Sequence, residues 1–281
     1  MTPELSERAK KIFGALDPFA TRGVEIGPLN HPIVRKDHSD VVYVDYGTTE
    51  EVRGKPYDAS INPADIVDID VAWSATPLKE CMPATHRECD WVIASHVIEH
   101  VPDIIGWLND IRSILRPGGT LGLAIPDRRF TFDYCRNEST AGEMVEAFLL
   151  KYRRPSLRQV FDHCWNAVVL DANDAWVKQP NGRELPKLSG GVALQLAYDQ
   201  CVEIVNHPRY IDSHCWVFTP ASFLDNLGVL ARLKLFPFLV DFIEPTQPGS
   251  LEFIVRLTAV DSAEDPSVSA SIEQAMLIRG I

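Results

Sequence analysis

The sequence has 281 residues, 46% of them hydrophobic and 23% charged, enough for one large domain or a domain with a sizeable insertion. A net charge of −12 without a long Lys/Arg run argues against nucleic acid and anionic membrane as partners, because phosphate contacts dominate such binding. Six scattered cysteines with no C-x-x-C pair suggest neither a zinc knuckle nor a disulfide framework. With no signal-peptide core and no apolar run near the roughly 20 residues needed to cross a bilayer, a reducing, cytoplasmic setting is expected.

Residues 3–16 read as an amphipathic helix, with Leu5, Ala9, Ile12, Phe13 and Leu16 at helical spacing and Pro3 suited to the first turn. Val24–Ile26 is a short buried strand carrying Glu25 and running into a turn at Gly27. A second strand, Val41–Val44, ends in Asp45. A carboxylate at the C-terminal end of such a strand can accept both vicinal hydroxyls of a ribose. There is no G-x-G-x-x-G, only Gly27 followed by Pro28. A dinucleotide needs the further glycines so that backbone can approach its pyrophosphate, so this loop suits a nucleoside ligand without one.

Thr48–Arg53 has the character of a capping box and starts a short helix. Asp65–Val71 alternates apolar and acidic residues, which predicts a third strand, and Asp90–His96 is a nearly all-apolar fourth, buried on both faces. Ile104–Leu115 forms a helix with Ile104, Trp107, Leu108, Ile111 and Leu115 on one stripe, stopped by Arg116-Pro-Gly-Gly119. Thr120–Ile125 is a fifth strand, closed by Pro126-Asp127. Strands alternating with helices at this spacing imply parallel βαβ units with right-handed crossovers. Residues 128–213 break the alternation with polar, aromatic, mostly helical sequence. A helix at Pro220–Leu230 and strands near Phe236–Ile243 and Leu251–Leu257 follow, and the short connection between these strands requires an antiparallel pair. The tail after Asp261 reads as a peripheral helix.

Together these segments resemble the class I S-adenosylmethionine-dependent methyltransferases. Glu25-Ile-Gly27 is similar to their first motif, Asp45 to their second-strand acid and Asp70 to their third-strand acid. Ala94–Asp103, with its E-H-V-x-D stretch after the fourth strand, is the strongest match, and Arg116–Thr120 matches the turn before their fifth strand. The resemblance spans roughly residues 20–127 and 214–258. In the first loop, Pro28-Leu-Asn-His replaces further glycines. Ile125–Asp133 with His214–Pro220 also looks like a bacterial subgroup found near glycosyltransferase and polysaccharide genes.

The resemblance implies an α/β fold: a doubly wound, Rossmann-like, seven-stranded, mostly parallel sheet with a C-terminal antiparallel hairpin and a helical insertion after strand 5. It implies a cofactor-binding domain over 1–127 and 214–260, an inserted substrate-binding or lid region over 128–213, and a tail over 261–281. The expected cofactor is S-adenosyl-L-methionine, with Glu25, Gly27, Asp45, Asp70, Val71, Ser95, His96 and His100 as its contacts. Glu99 and His100 either touch a ligand or cap the following helix. The expected reaction is methyl transfer by in-line displacement to oxygen or nitrogen of a small-molecule or saccharide acceptor. A general base is sought among His163, Asp212 and His214. His163, His207, Asp212 and His214 match no metal-ligand spacing, and no metal is expected. A homodimer is left open. The rivals are a non-catalytic S-adenosylmethionine-binding scaffold and a nicotinamide-dependent oxidoreductase, the latter disfavoured by the missing glycines.

Overall fold

The computed structural model describes residues 4–57, 61–74 and 76–279. The N-terminal helix is α1, Glu7–Phe13, shorter than the periodicity over 3–16 suggests. The Ser6 side chain accepts the Ala9 N–H and so sets the start one turn late, and Gly14 ends the helix. Pro3 lies outside the described residues.

The chain then lays down β1 (Arg22–Ile26), β2 (Asp40–Asp45), α2 (Thr49–Arg53), β3 (Val71–Ala72), α3 (Leu78–Cys81), β4 (Cys89–Ser95), α4 (Ile104–Ile114) and β5 (Leu115–Pro126). After a helical excursion come α9 (Pro220–Arg232), β6 (Phe238–Glu244), β7 (Glu252–Ala259) and α10 (Pro266–Arg279). The excursion holds α5 (Ala141–Leu149), α6 (Leu157–Asn166), α7 (Ala172–Lys178) and α8 (Ala193–Asn206). The seven strands form one sheet in the order β3-β2-β1-β4-β5-β7-β6. β1 to β5 pair in parallel, and β7 runs antiparallel to both β5 and β6. The strand order reverses between β1 and β4, which opens a crevice beyond their C-terminal ends.

The third strand differs from its expected span of 65–71. Only Val71 and Ala72 pair, opposite Val44 and Asp45. The preceding amides are satisfied elsewhere: Val67 N–H reaches the Leu29 carbonyl and Ile69 N–H the Thr49 hydroxyl. Alternation alone cannot make a ladder where loops have taken the donors. β5 starts earlier than expected: Cys89 pairs with Leu115 and Trp91 with Thr120, so Arg116–Gly119 bulges out between them.

Each face of the sheet buries its own apolar layer. On one side, Ile12 and Phe13 of α1 pack with Trp91 and Ile93. Gly23 is required there, since a Cβ would lie 2.0 Å from the Trp91 ring. On the other side, α4 and α9 cover Val24, Val92, Leu121 and Phe253. Each fully buried apolar side chain contributes about 1.5–3 kcal/mol. The expected peripheral tail helix is α10, and it buries Val268, Ile272 and Ala275 in this same layer.

Within the excursion, α5 is fixed by a Thr140/Glu143 capping box and places Met144 and Ala147 in the main core. After it, α6 and α8 pack on each other, and α7 packs against the turn at Arg128–Phe130. The chain returns through Ser213–Phe218, a buried irregular stretch that decides the site. Cys215 and Trp216 donate their N–H groups to the Glu99 carbonyl at 2.6 and 3.1 Å, and Trp216 Nε1 donates to Val101 O at 2.6 Å. Phe218 pairs with Asp127. No helix among the described residues is long and apolar enough to cross a membrane.

Candidate active site at the C-terminal edge of the sheet

Gly27 follows β1 directly and has φ +67°, where a Cβ would sit 2.7 Å from Val97 Cγ2. Glycine is needed there both for the backbone conformation and to let the loop after β4 come close. Asp45 ends β2 and is only 7% exposed. Its Oδ1 accepts the Tyr46 N–H at 2.8 Å, whereas Oδ2 makes no hydrogen bond among the described residues. Burial raises its carboxyl, a rise opposed by the Tyr46 N–H and by Lys55. A buried carboxylate with one oxygen open at a strand end suits a pair of ribose hydroxyls. Tyr46, the next residue, holds its ring nearly parallel to Tyr210 with centroids 6.3 Å apart, and Lys55 Nζ sits 3.9 Å over the Tyr46 ring.

Two expected contacts have their oxygens engaged within the protein. Glu25 accepts the N–H groups of Ile33 and Val34 at 2.7 and 3.0 Å, so it shapes the loop after Gly27. Burial pushes its carboxyl up to about 7 despite those two donors. Asp70 accepts the Tyr43 N–H at 2.8 Å and pairs with Lys36 Nζ at 2.7 Å, on the α1 side of the sheet. Val71 beside it is a buried sheet residue.

At the end of β4, the Ser95 hydroxyl accepts from Arg8 Nη2 at 2.6 Å. His96 has φ +54°, a sparsely populated conformation for a side chain of its size and a mark of local strain. Its Nε2 donates to Glu252 Oε2 at 2.7 Å, and its Nδ1 faces Glu99 Oε1 at 3.6 Å. Arg8 also pairs with Glu252, at 2.6 Å. Burial alone would raise the Glu252 carboxyl, but the hydrogen bonds from Arg8 and His96 outweigh it and bring it to about 2.

Glu99 is the least expected member. It is 1% exposed and neither carboxylate oxygen has a hydrogen-bond partner. A buried carboxylate left that way normally costs several kcal/mol. His100 follows it, donating Nδ1–H to Asp212 Oδ1 at 2.8 Å, with its Nε2 4.0 Å from Glu99 Oε1. Burial favours the neutral form of His100, yet Asp212 and Glu99 overcome this and raise its pKa above the ordinary value. Burial works against the Asp212 charge too, but His100 and Lys55 hold that carboxyl well below its usual range.

The three residues expected to supply a base fall into two groups, Asp212 in one and His163 with His214 in the other. Asp212 serves His100. His214 is buried and donates Nδ1–H to Asp133 Oδ2 at 2.5 Å, and Asp133 is fixed in turn by Arg136 at 2.8 Å. His163 lies behind His214, its Nδ1 accepting the His214 backbone N–H at 3.3 Å. Burial, then the neighbouring His214, pushes the His163 pKa down to about 3, so it is neutral at physiological pH and already committed as an acceptor. The rings of His100 and His214 meet edge to face at 4.7 Å.

Arg8, Tyr46, Lys55, Asp133 and Glu252 are site neighbours that sequence reading passes over. Arg8, Lys55, Asp133 and Glu252 meet partners far from them in sequence, whereas Tyr46 directly follows Asp45. A groove of about 330 Å³ beside β6 and α10, lined by Phe242, Ser271 and Gln274, lies away from all of these residues.

The family model of the methyltransferase domain matches residues 12–186, more than half of the chain. No curated protein sequence matches it. Among solved structures, the CcbJ methyltransferase from Streptomyces caelestis is 11% identical, with a TM-score of 0.42, and the match covers 92% of this chain and 97% of that one. An S-adenosylmethionine-dependent methyltransferase from Methanosarcina mazei is 10% identical, with a TM-score of 0.41, covering 92% and 99%. One from Mesorhizobium loti is 14% identical, with a TM-score of 0.38, covering 86% and 93%. The assignment rests on the family model and not on these distant likenesses. The chain belongs to the methyltransferase-domain family, a class I enzyme that uses S-adenosylmethionine.

Proposed function

We propose that the chain methylates a hydroxyl group of a small-molecule or saccharide acceptor bound between the loop after β4 and the excursion over 128–213. S-adenosylmethionine supplies a methyl group on a sulfonium, and the thioether that leaves needs no proton. Gly27 gives the close backbone approach, Asp45 Oδ2 binds the ribose, and Tyr46 provides an apolar ring face for the base. Ser95 and His96, held by Arg8 and Glu252, border the methyl group. The role of Glu25 is to hold the loop after β1 in shape.

The observation that carries the reading is the pairing of two imidazoles. His100 and His214 each give their Nδ1–H to an aspartate, which leaves Nε2 as the available nitrogen of both rings. They meet beside buried Glu99, one loop away from Ser95. Such a group of proton acceptors has a use when a hydroxyl must be made nucleophilic. Glu99 and His214 are 1% and 6% exposed, a setting that favours a small acceptor over a macromolecular one.

The test is incubation with methyl-labelled S-adenosylmethionine and a panel of saccharides, phenols and amines, with the product mass and site read out. Transfer to a hydroxyl supports the reading. Transfer only to amines, or only to protein or nucleic acid, overturns it.

A further inference from the structure

We infer that Glu99, His100 and His214 form a binding site for a divalent first-row transition cation. The proposal deepens the reading above and rests on it for what the cation does: with both Nε2 lone pairs given to the ion, activation of the acceptor hydroxyl would pass from those nitrogens to the ion, which would take the oxygen in an open coordination position and make its proton easier to lose to solvent.

Four observations converge. One donor atom from each of the three residues lies within 4.8 Å of the others. Three donors each ~2.1 Å from one ion stand roughly 3.4–3.6 Å apart in tetrahedral or trigonal geometry, so the set would close by up to about 1.3 Å on loading. His100 Nε2 and Glu99 Oε1, at 4.0 Å, would need to approach by only about half an ångström. Glu99 is buried with two unpaired carboxylate oxygens, and a cation satisfies both its charge and its lone pairs. Both histidines also have the outer partner that metal-bound imidazoles usually show: Nδ1–H is given to a carboxylate, Asp212 for His100 and Asp133 for His214, which fixes the tautomer with Nε2 bare.

The donor set selects the class of ion. Two imidazoles and one carboxylate suit manganese, iron, cobalt or zinc, while magnesium and calcium favour all-oxygen sites. Three protein ligands leave positions open, as in catalytic rather than structural centres. Sequence spacing hides the site, because Glu99 and His100 come from the loop after β4 and His214 from the return segment. The Glu99 carbonyl brings the two together by accepting from Cys215 and Trp216.

The experiment titrates Co2+ into the chelator-treated full-length protein, following its visible absorption, with Zn2+ and Mg2+ as competitors. One equivalent should bind, Zn2+ should displace it, and Mg2+ at equal concentration should not. Glu99→Gln should raise the dissociation constant for Co2+ at least about 100-fold, and Asp212→Asn about 10–100-fold. Asp212 is half-exposed, so this second variant covers a failure of Glu99→Gln to fold, which circular dichroism would detect. His207→Ala, at an exposed histidine outside the cluster, should leave binding unchanged.

The inference is overturned if the folded wild type takes up no Co2+, if Mg2+ competes as well as Zn2+, if both variants bind normally, or if His207→Ala abolishes binding. Calorimetry with S-adenosylhomocysteine on the same sample separates the two readings. Cofactor binding without Co2+ binding ends the cation site and leaves methyl transfer standing. Co2+ binding without cofactor binding does the reverse.

Discussion

Asp212 Oδ1 receives the Nδ1–H of His100 at 2.8 Å, so a residue at the end of the helical excursion orients a residue in the loop after β4. Lys55 Nζ, 3.5 Å from Asp212 Oδ2, ties the same carboxylate to the segment that follows β2. One aspartate thus links the loop after β4 to the segment that follows β2.

This link has a titration consequence. Asp212 is one of the groups that keep His100 more readily protonated than an ordinary histidine. In Asp212→Asn the His100 pKa should fall, as followed by the NMR shifts of its imidazole protons. An unchanged titration would show that the pair does not set the state of the ring.

Asp45→Ala should weaken binding of S-adenosylhomocysteine by about 1–3 kcal/mol, through loss of hydrogen bonds to the ribose. Isothermal titration calorimetry measures this directly. Asp70→Ala, whose carboxylate is engaged by Tyr43 and Lys36, should leave affinity nearly unchanged and lower the melting temperature instead.

Gly27→Ala forces a side chain into a left-handed backbone and into Val97, and should lower stability by about 1 kcal/mol or more. Cofactor affinity should drop as well. Adding Val97→Ala relieves the collision but not the backbone strain, so the double variant should recover part of the melting temperature and not all of it.

Glu252 makes the fold sensitive to acid. Its carboxyl lies at about 2 against 4.5 for an unperturbed glutamate, so between those values the unfolded chain binds the extra proton. Stability is therefore fully present above about pH 4.5 and is lost as pH falls through 2. Glu252→Gln should be about 2–3 kcal/mol less stable than wild type at pH 7, and the gap should close as pH approaches 2. Urea denaturation at pH 7 and pH 3 provides the check.

Most of the strands were legible because buried parallel strands leave continuous apolar runs such as Trp91–Ala94, bounded by glycine, proline and acidic residues at their ends, whereas their order in the sheet came only from the structure. The β6–β7 hairpin followed from the shortness of its connection. The third strand misled, because its alternating acids serve Arg53, Lys36 and Tyr43 rather than a long ladder. Glu25 was visible as a strand-end acid, yet its partners, Ile33 and Val34, depend on the path of a loop that no local pattern dictates.

What the sequence by itself determined was the placing of Gly27, Asp45 and the Ser95–Asp103 stretch at strand ends, the edge proposed to hold the cofactor, where periodicity and turn chemistry are local. What only the tertiary structure decided was which side chains meet beside the loop after β4. His100 meets Asp212, and His214 meets Asp133, across 112 and 81 residues. The return segment is held there by non-local backbone hydrogen bonds to the Glu99 carbonyl and by burial of Trp216. Such contacts depend on how the excursion folds back over the sheet, and residue spacing carries no record of that path.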